Sequence, residues 1–240
     1  LSASGTRISL MSSAAVVVPD LQSVKQKWDD FAERYATSMR EWSIPPTMTI
    51  AGNLQLSSCS SLLEIGCGPG HHFTAVRSLL PERARYVATD YSQAMVDKAS
   101  EAAKGLTMEV SAANAQELPF GDGSFDRYMA NLSLMLVPEP EAAAREAFRV
   151  LRSGGVAAWS VWGRDEDSPL FTTVPRLMKE LGIVLKDAPP PERPNFHLGR
   201  DAEATRAMLL RAGFGRVVAW RQPSVLPVFA GPAFADHRLR

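Results

Sequence analysis

Cysteine is scarce in this chain, with two in 240 residues, Cys59 and Cys67. No C-x-x-C pair and no Cys/His array occurs, so neither a metal site nor a disulfide framework is expected. Cys67 lies between two glycines of a tight turn, where a disulfide would distort the backbone. Sparse thiols of this kind fit a reducing compartment, the cytoplasm. Long apolar runs are missing too; none approaches the roughly 20 residues that span a bilayer. Charge of one sign is not in excess, since 26 basic residues balance 26 acidic ones. A broad nucleic-acid or membrane-surface footprint is therefore not expected. There is no internal repeat.

What is present is an ordinary globular composition, 45% hydrophobic and 22% charged, on a chain long enough for one sizeable core. The opening LSASGTRISLMSSAAVVV is Ser/Ala-rich with one Arg and no acid. That suits an organellar transit peptide, a disordered tail or an expression remnant. Residues 1–19 are set aside on that ground, and residues 20–240 are expected to form a single domain.

Asp20 to Trp42 reads as a helix with Trp28, Phe31 and Tyr35 on one face. Pro45 and Pro46 are expected to stop it, and residues 20–50 form an N-terminal helical lid. From Ser61 onward strand and helix alternate. SLLEIG, ARYVATD, LTMEVSA, FDRYMANLSL and VAAWSVWG read as strands. Helices are expected over His71–Leu80, Ser92–Lys104 and Pro140–Leu151. The rhythm predicts a parallel sheet with helices on both faces. Right-handed crossovers gather the strand C-termini on one edge, where ligands of such sheets bind. Residues 164–200 interrupt the rhythm as a proline-rich insertion with a helix near Thr172–Leu181. A helix over Asp201–Ala212 and a sixth strand in AGFGRVVAW follow, with Val225–Phe229 as the candidate last strand.

LLEIGCGPGHHF carries glycines at 66, 68 and 70 just after the first strand. Either the turn is merely sharp, or a ligand lies against its backbone. Asp90 ends the second strand, 20 residues beyond Gly70, where an acid can accept from both hydroxyls of a ribose. Dinucleotide enzymes carry G-x-G-x-x-G at this turn, and the G-x-G-x-G here is one residue shorter.

E-I-G-C-G-P-G resembles motif I of the class I S-adenosylmethionine-dependent methyltransferases. V-A-T-D-Y-S, N-A-Q-E-L-P-F-G-D-G-S-F-D and R-V-L-R-S-G-G-V resemble the later motifs of the branch called methyltransferase type 11, which includes ubiquinone-biosynthesis-like enzymes. The likeness runs from about Trp28 to Gly163. It implies a Rossmann-like, doubly wound and mostly parallel seven-stranded sheet. It also implies S-adenosylmethionine as cofactor, with S-adenosylhomocysteine as product. By the same likeness Gly66, Gly68 and Gly70 admit the cofactor to the backbone, Glu64 sits near its ammonium, and Asp90 binds its ribose. Tyr91 and Met95 flank adenine, Asn114, Ala115 and Gln116 lie at the adenine edge, and Asn131 lies beside the reactive methyl. Tyr35 matches an aromatic that closes over the cofactor. Asn114 stands where the family often has Asp.

The base candidates are His71 and His72 at the start of the helix after the bend, and His197 in the insertion. His71 and His72 also read as cap and surface residues, and His197 stands closer to where an acceptor would enter. Strand four ends N-L-S-L, not D/N-P-P-Y/F, which argues against nucleic-acid and protein amide nitrogens as acceptors. A small organic acceptor remains, its amine, hydroxyl or carbon open. Trp162, Phe171, Leu177, Met178 and Phe196 either line its pocket or hold the insertion to the body. The competing readings are a non-catalytic binding or scaffold protein and an NAD-type oxidoreductase.

Overall fold

The computed structural model describes residues 20–182 and 196–223. Residues 1–19, the proline cluster of the insertion and Val225–Phe229 lie outside them. Five strands form one sheet in the order β3-β2-β1-β4-β5: β1 Ser61–Ile65, β2 Arg85–Asp90, β3 Glu109–Ala112, β4 Phe125–Asn131 and β5 Leu151–Ser160. All four pairings are parallel. The crossovers are α3 Phe73–Leu79, α4 Gln93–Ala102 and α5 Pro140–Val150. Ahead of the sheet stand α1 Leu21–Ser38 and α2 Arg40–Asn53. After it come α6 Pro169–Glu180, α7 His197–Arg200 and α8 Ala202–Arg211.

Strand parity sorts the core into two faces, because alternate side chains point to opposite sides of a sheet. Leu62 joins Val76, Tyr86 and Ile50 in one cluster under α2 and α3. Leu63 and Ile65 join Val87, Tyr128 and Val150 in the other, under α5. Local chemistry sets the ends of α4. Ser92 accepts the Met95 N–H at 3.1 Å, an N-cap that satisfies one orphan donor. Gly105 turns away just beyond it at φ +80°.

Two expectations are corrected. The first concerns Pro45 and Pro46, which do not end a helix but lie inside α2. The chain instead breaks between α1 and α2 at Met39, at φ −106° and ψ 5°. Two ladder bonds are lost at the prolines, but Thr47, Ile50 and Ala51 are buried against the sheet. Tertiary burial outweighs the local preference. The second concerns Val217–Trp220, which is no strand. The Val217 carbonyl accepts from the Arg206 side chain at 3.3 Å, and Val218 and Trp220 are 62% and 55% exposed. Five strands are therefore present among the described residues, where seven were expected. No helix among them is long and apolar enough to cross a membrane.

Candidate functional site

An open cavity of about 880 Å³, its mouth included, lies at the C-terminal edge of the sheet. Gly66 and Gly68 from the bend, Asp90 and Tyr91 from the end of β2, and Asn131 from the end of β4 all face it. Topology explains the convergence: β1 is flanked by β2 and β4, so their C-terminal ends are neighbours.

The bend is tied to β2 through its backbone. Cys67 N–H donates to the Thr89 carbonyl at 3.0 Å, and Gly68 N–H donates to Asp90 Oδ2 at 2.9 Å. Ser92 N–H donates to Asp90 Oδ1 at 2.9 Å. Burial raises the Asp90 pKa to about 6, against these N–H bonds, which lower it. Its carboxyl is thus preorganised, with one edge on the cavity.

The three glycines answer different needs. All have positive φ, +67°, +57° and +76° in chain order. A Cβ on Gly66 would meet Ser133 Cβ at 2.5 Å, and one on Gly70 would meet the Phe73 ring at 2.5 Å. Only at Gly68 is the space open, with Tyr35 Cε1 the nearest atom at 3.7 Å. Gly66 and Gly70 therefore serve packing as much as ligand access, and Gly70 does not reach the cavity.

Helix α1 forms one wall. Trp28 and Tyr35 face the cavity, their rings in edge contact at 5.8 Å. Burial first, then the Asp90 charge, pushes the Tyr35 phenol up to about 12. Asp29 docks this helix on the N-terminus of α4. Its Oδ1 accepts from Ser92 Oγ at 2.6 Å and from Ala94 N–H at 3.2 Å. Lys98 meets Glu33 at 2.5 Å a turn further on.

Met95, Asn114 and Ala115 also line the cavity. Asn114 Oδ1 accepts the Gln116 N–H at 3.0 Å. Gln116 itself faces elsewhere and accepts from Glu139 N–H at 2.7 Å. The Asn131 amide bridges Ser43 O at 3.2 Å and Ser160 Oγ at 2.5 Å, joining α2, β4 and β5 beside the cavity. Leu132 follows at φ +50°, an unusual backbone for a branched residue.

Glu64 is not brought to the cavity. Strand parity turns it with Leu62 toward α3, where His72 Nε2 lies 2.6 Å from Oε1 and the Tyr86 hydroxyl donates to Oε2. His71 Nε2–H donates to the Ala36 carbonyl at 2.9 Å, and His197 is exposed on α7. None of the three histidines lines the cavity. Nor do Trp162, Leu177 and Phe196 of the insertion: Trp162 packs against the α5–α8 cluster, Phe196 is buried and Leu177 is 45% exposed.

Sequence reasoning placed Trp28 on a helix face without a role in the site, and it passed over Ser133, Val137, Tyr128 and Trp159; all five line the cavity. The segment just after Asn131 sits at the C-terminal edge of a central strand, a position that marks it as site-forming. Tyr128 and Trp159 carried no such signal.

Fold and cavity together define a doubly wound α/β protein with a cavity at the C-terminal edge of its parallel sheet. Residues 63–159 match the family model described as methyltransferase domain. The chain is 31% identical over 173 residues to the ubiquinone/menaquinone biosynthesis C-methyltransferase of Sinorhizobium fredii, covering 65% of each protein. It is 33% identical over 132 residues to 27-O-demethylrifamycin SV methyltransferase of Amycolatopsis mediterranei, covering 53% of this chain and 46% of that one. A solved S-adenosylmethionine-dependent methyltransferase from Aquifex aeolicus superposes with TM-score 0.58 at 19% identity, over 79% of this chain and 91% of that one. The chain spans from 28% to 65% of the length of such curated relatives. Residues 63–159 thus match a methyltransferase domain on the fold of solved S-adenosylmethionine-dependent methyltransferases, and the cofactor of those structural neighbours is S-adenosylmethionine. The donor set suits it: a carboxylate for a diol, and aromatic and thioether surfaces for a flat base.

Proposed function

We propose that this chain transfers the methyl group of S-adenosylmethionine to a small, neutral and largely apolar acceptor. The observation that carries the reading is one cavity shared by the glycine bend and Asp90, walled by Trp28, Tyr35, Tyr91 and Met95. Gly66 and Gly68 would admit the cofactor to the backbone, Asp90 would accept from its ribose hydroxyls, and Tyr91 and Met95 would flank its base. Asn114 and Ala115 would border the base edge, and Tyr35 would close over the site from α1.

The bound cofactor supplies an electrophilic methyl on a sulfonium. What this chain adds is alignment and exclusion of water, and orientation of that kind is worth up to about 7–11 kcal/mol. Asn131 would stand beside the transfer path, its amide fixed by Ser43 and Ser160. No histidine, lysine or arginine lines the cavity among the described residues. Tyr35, held as a phenol, can donate a hydrogen bond but is a poor base. The reading therefore favours an acceptor nucleophilic enough to react without a strong enzyme base, and disfavours phosphorylated or carboxylated acceptors. The relatives named above for C-methylation and for a 27-O-demethylrifamycin substrate leave the acceptor atom open between carbon and oxygen.

Calorimetry with S-adenosylhomocysteine tests the site, and absence of binding ends the reading. Transfer of labelled methyl to neutral phenols, hydroquinones and amines, but not to their phosphorylated or carboxylated analogues, tests the acceptor class. Binding without transfer to any acceptor would leave the non-catalytic alternative standing.

A further inference from the structure

The glycine bend is closed at its base by three side chains that the cavity never touches. Glu64 is the penultimate residue of β1 and His72 the residue preceding α3, so their contact ties the two ends of the bend together. Both are buried, at 1% and 5% exposure. The ring nitrogen Nε2 lies 2.6 Å from Oε1. Tyr86 donates to the other oxygen, which fastens the same carboxylate to β2, the strand that ends in Asp90. The Glu64 carbonyl also accepts from Thr89 Oγ1 at 3.2 Å. Side chains of β2 thus reach the end of β1 through both this carboxylate and the backbone of the same residue.

A core built for stability alone would do as well with an apolar residue here, since buried polar clusters rarely beat hydrophobic packing. What three satisfied polar groups provide is orientation. That orientation fixes the distance between Gly68 N–H and Asp90, 2.9 Å, across which an adenosyl ligand would be gripped. We propose that His72 is a positioning residue: by holding Glu64 it sets the bend against Asp90 and thereby the affinity of the cavity. This rests on the cavity being the S-adenosylmethionine site.

The experiment compares His72→Ala, His72→Gln and Tyr86→Phe with the unaltered protein. S-adenosylhomocysteine affinity is measured by calorimetry, and Tm and far-UV circular dichroism are recorded alongside. Glutamine keeps an N–H that can reach Glu64, and phenylalanine keeps the ring while losing one donor. By analogy with groups that orient ligands at metal sites, His72→Ala should weaken binding ~10- to 100-fold. His72→Gln should stay within about threefold and Tyr86→Phe should lose about tenfold. A loss of folding stability alone would lower Tm in His72→Ala and leave its affinity, measured well below Tm, unchanged. That result overturns the proposal, as does an equal loss in His72→Gln and His72→Ala. If His72→Ala does not fold, Tyr86→Phe decides: weakened binding at unchanged Tm supports the clasp, and unaltered affinity overturns it. Should the unaltered protein itself bind no S-adenosylhomocysteine, the site reading falls and amide exchange at Gly68 judges the clasp separately. Exchange quickened about tenfold in Tyr86→Phe, the loss expected of its affinity, would support it, and unchanged exchange would refute it.

Discussion

Replacing Gly66 by alanine separates the demands of packing from those of a ligand. The backbone there has φ +67°, and an L-residue in that region costs roughly 1–2 kcal/mol. The new Cβ would meet Ser133 Cβ at 2.5 Å and its Oγ at 3.1 Å. Ser133 can retreat little, because it continues from Leu132, itself at φ +50°, and its Oγ donates to the Ile65 carbonyl at 3.3 Å. Overpacking of this kind costs about 1–3 kcal/mol, so Gly66→Ala should lose roughly 2–5 kcal/mol in all. For a chain of this size that is a fall in Tm of roughly 4–20 °C. Ser133→Gly removes the obstructing Cβ and leaves the backbone strain. Added to Gly66→Ala, it should return about 1–3 kcal/mol, read as the coupling in a double-mutant cycle by thermal or urea unfolding. Coupling below about 0.5 kcal/mol would refute the packing account. Gly68→Ala is the control: its nearest neighbour is Tyr35 Cε1 at 3.7 Å. It should show strain of about 1–2 kcal/mol and no coupling to Ser133, while weakening S-adenosylhomocysteine by filling the open side of the bend.

Two pH dependences follow from the same geometry. Asp90 has a pKa raised to about 6 by burial, and diol O–H donors favour its ionised form. S-adenosylhomocysteine affinity should hold above pH 7 and fall as the pH drops through about 6, a slope that Asp90→Asn abolishes. The ligand-free protein responds oppositely at this group: with the folded pKa above the ordinary carboxylate value, it gains stability as pH falls from about 6 toward 4. Burial lowers the His71 pKa, against the Ala36 carbonyl that accepts from Nε2 and raises it, and the nearby Arg40 charge lowers it further. Its Nδ1 is buried without a partner. A histidine with lowered folded pKa contributes fully above its ordinary value of about 6.5 and loses that contribution as pH falls below it. The protection factors of the α1 amides, corrected for the intrinsic pH dependence of exchange, should therefore fall below about pH 6.5, and His71→Gln should remove that dependence. Asp29→Ala should loosen α1 at every pH, by about 1.5–3 kcal/mol for a charged hydrogen-bond acceptor, while the β-strand amides keep their protection.

Much of the fold was legible because its signals are local. Alternating short apolar runs and helical stretches gave the parallel sheet. The helix expected over Ser92–Lys104 is present as α4, because Ser92 caps its first turn and Gly105 turns away just beyond its end. Asp90 stood in register with the bend because both occupy the ends of adjacent parallel strands. Even the burial of Glu64 was written in strand parity, since Leu62 two residues earlier is a core residue; the family likeness pointed the other way. The prolines of α2 misled because the preference they break is local and the burial that overrules it is not.

By itself the sequence determined the five strands of the sheet and the helices that cross between them, and so which backbone atoms reach the binding edge. These are consequences of spacing along one chain. Only the tertiary structure decided that Trp28 and Tyr35 wall the cavity, that Ser133 fills the space beside Gly66, and that His72 and Tyr86 take both oxygens of Glu64. Most of those contacts join segments far apart in the chain. Their geometry depends on how helices settle on the sheet, which no periodicity within a single segment can encode.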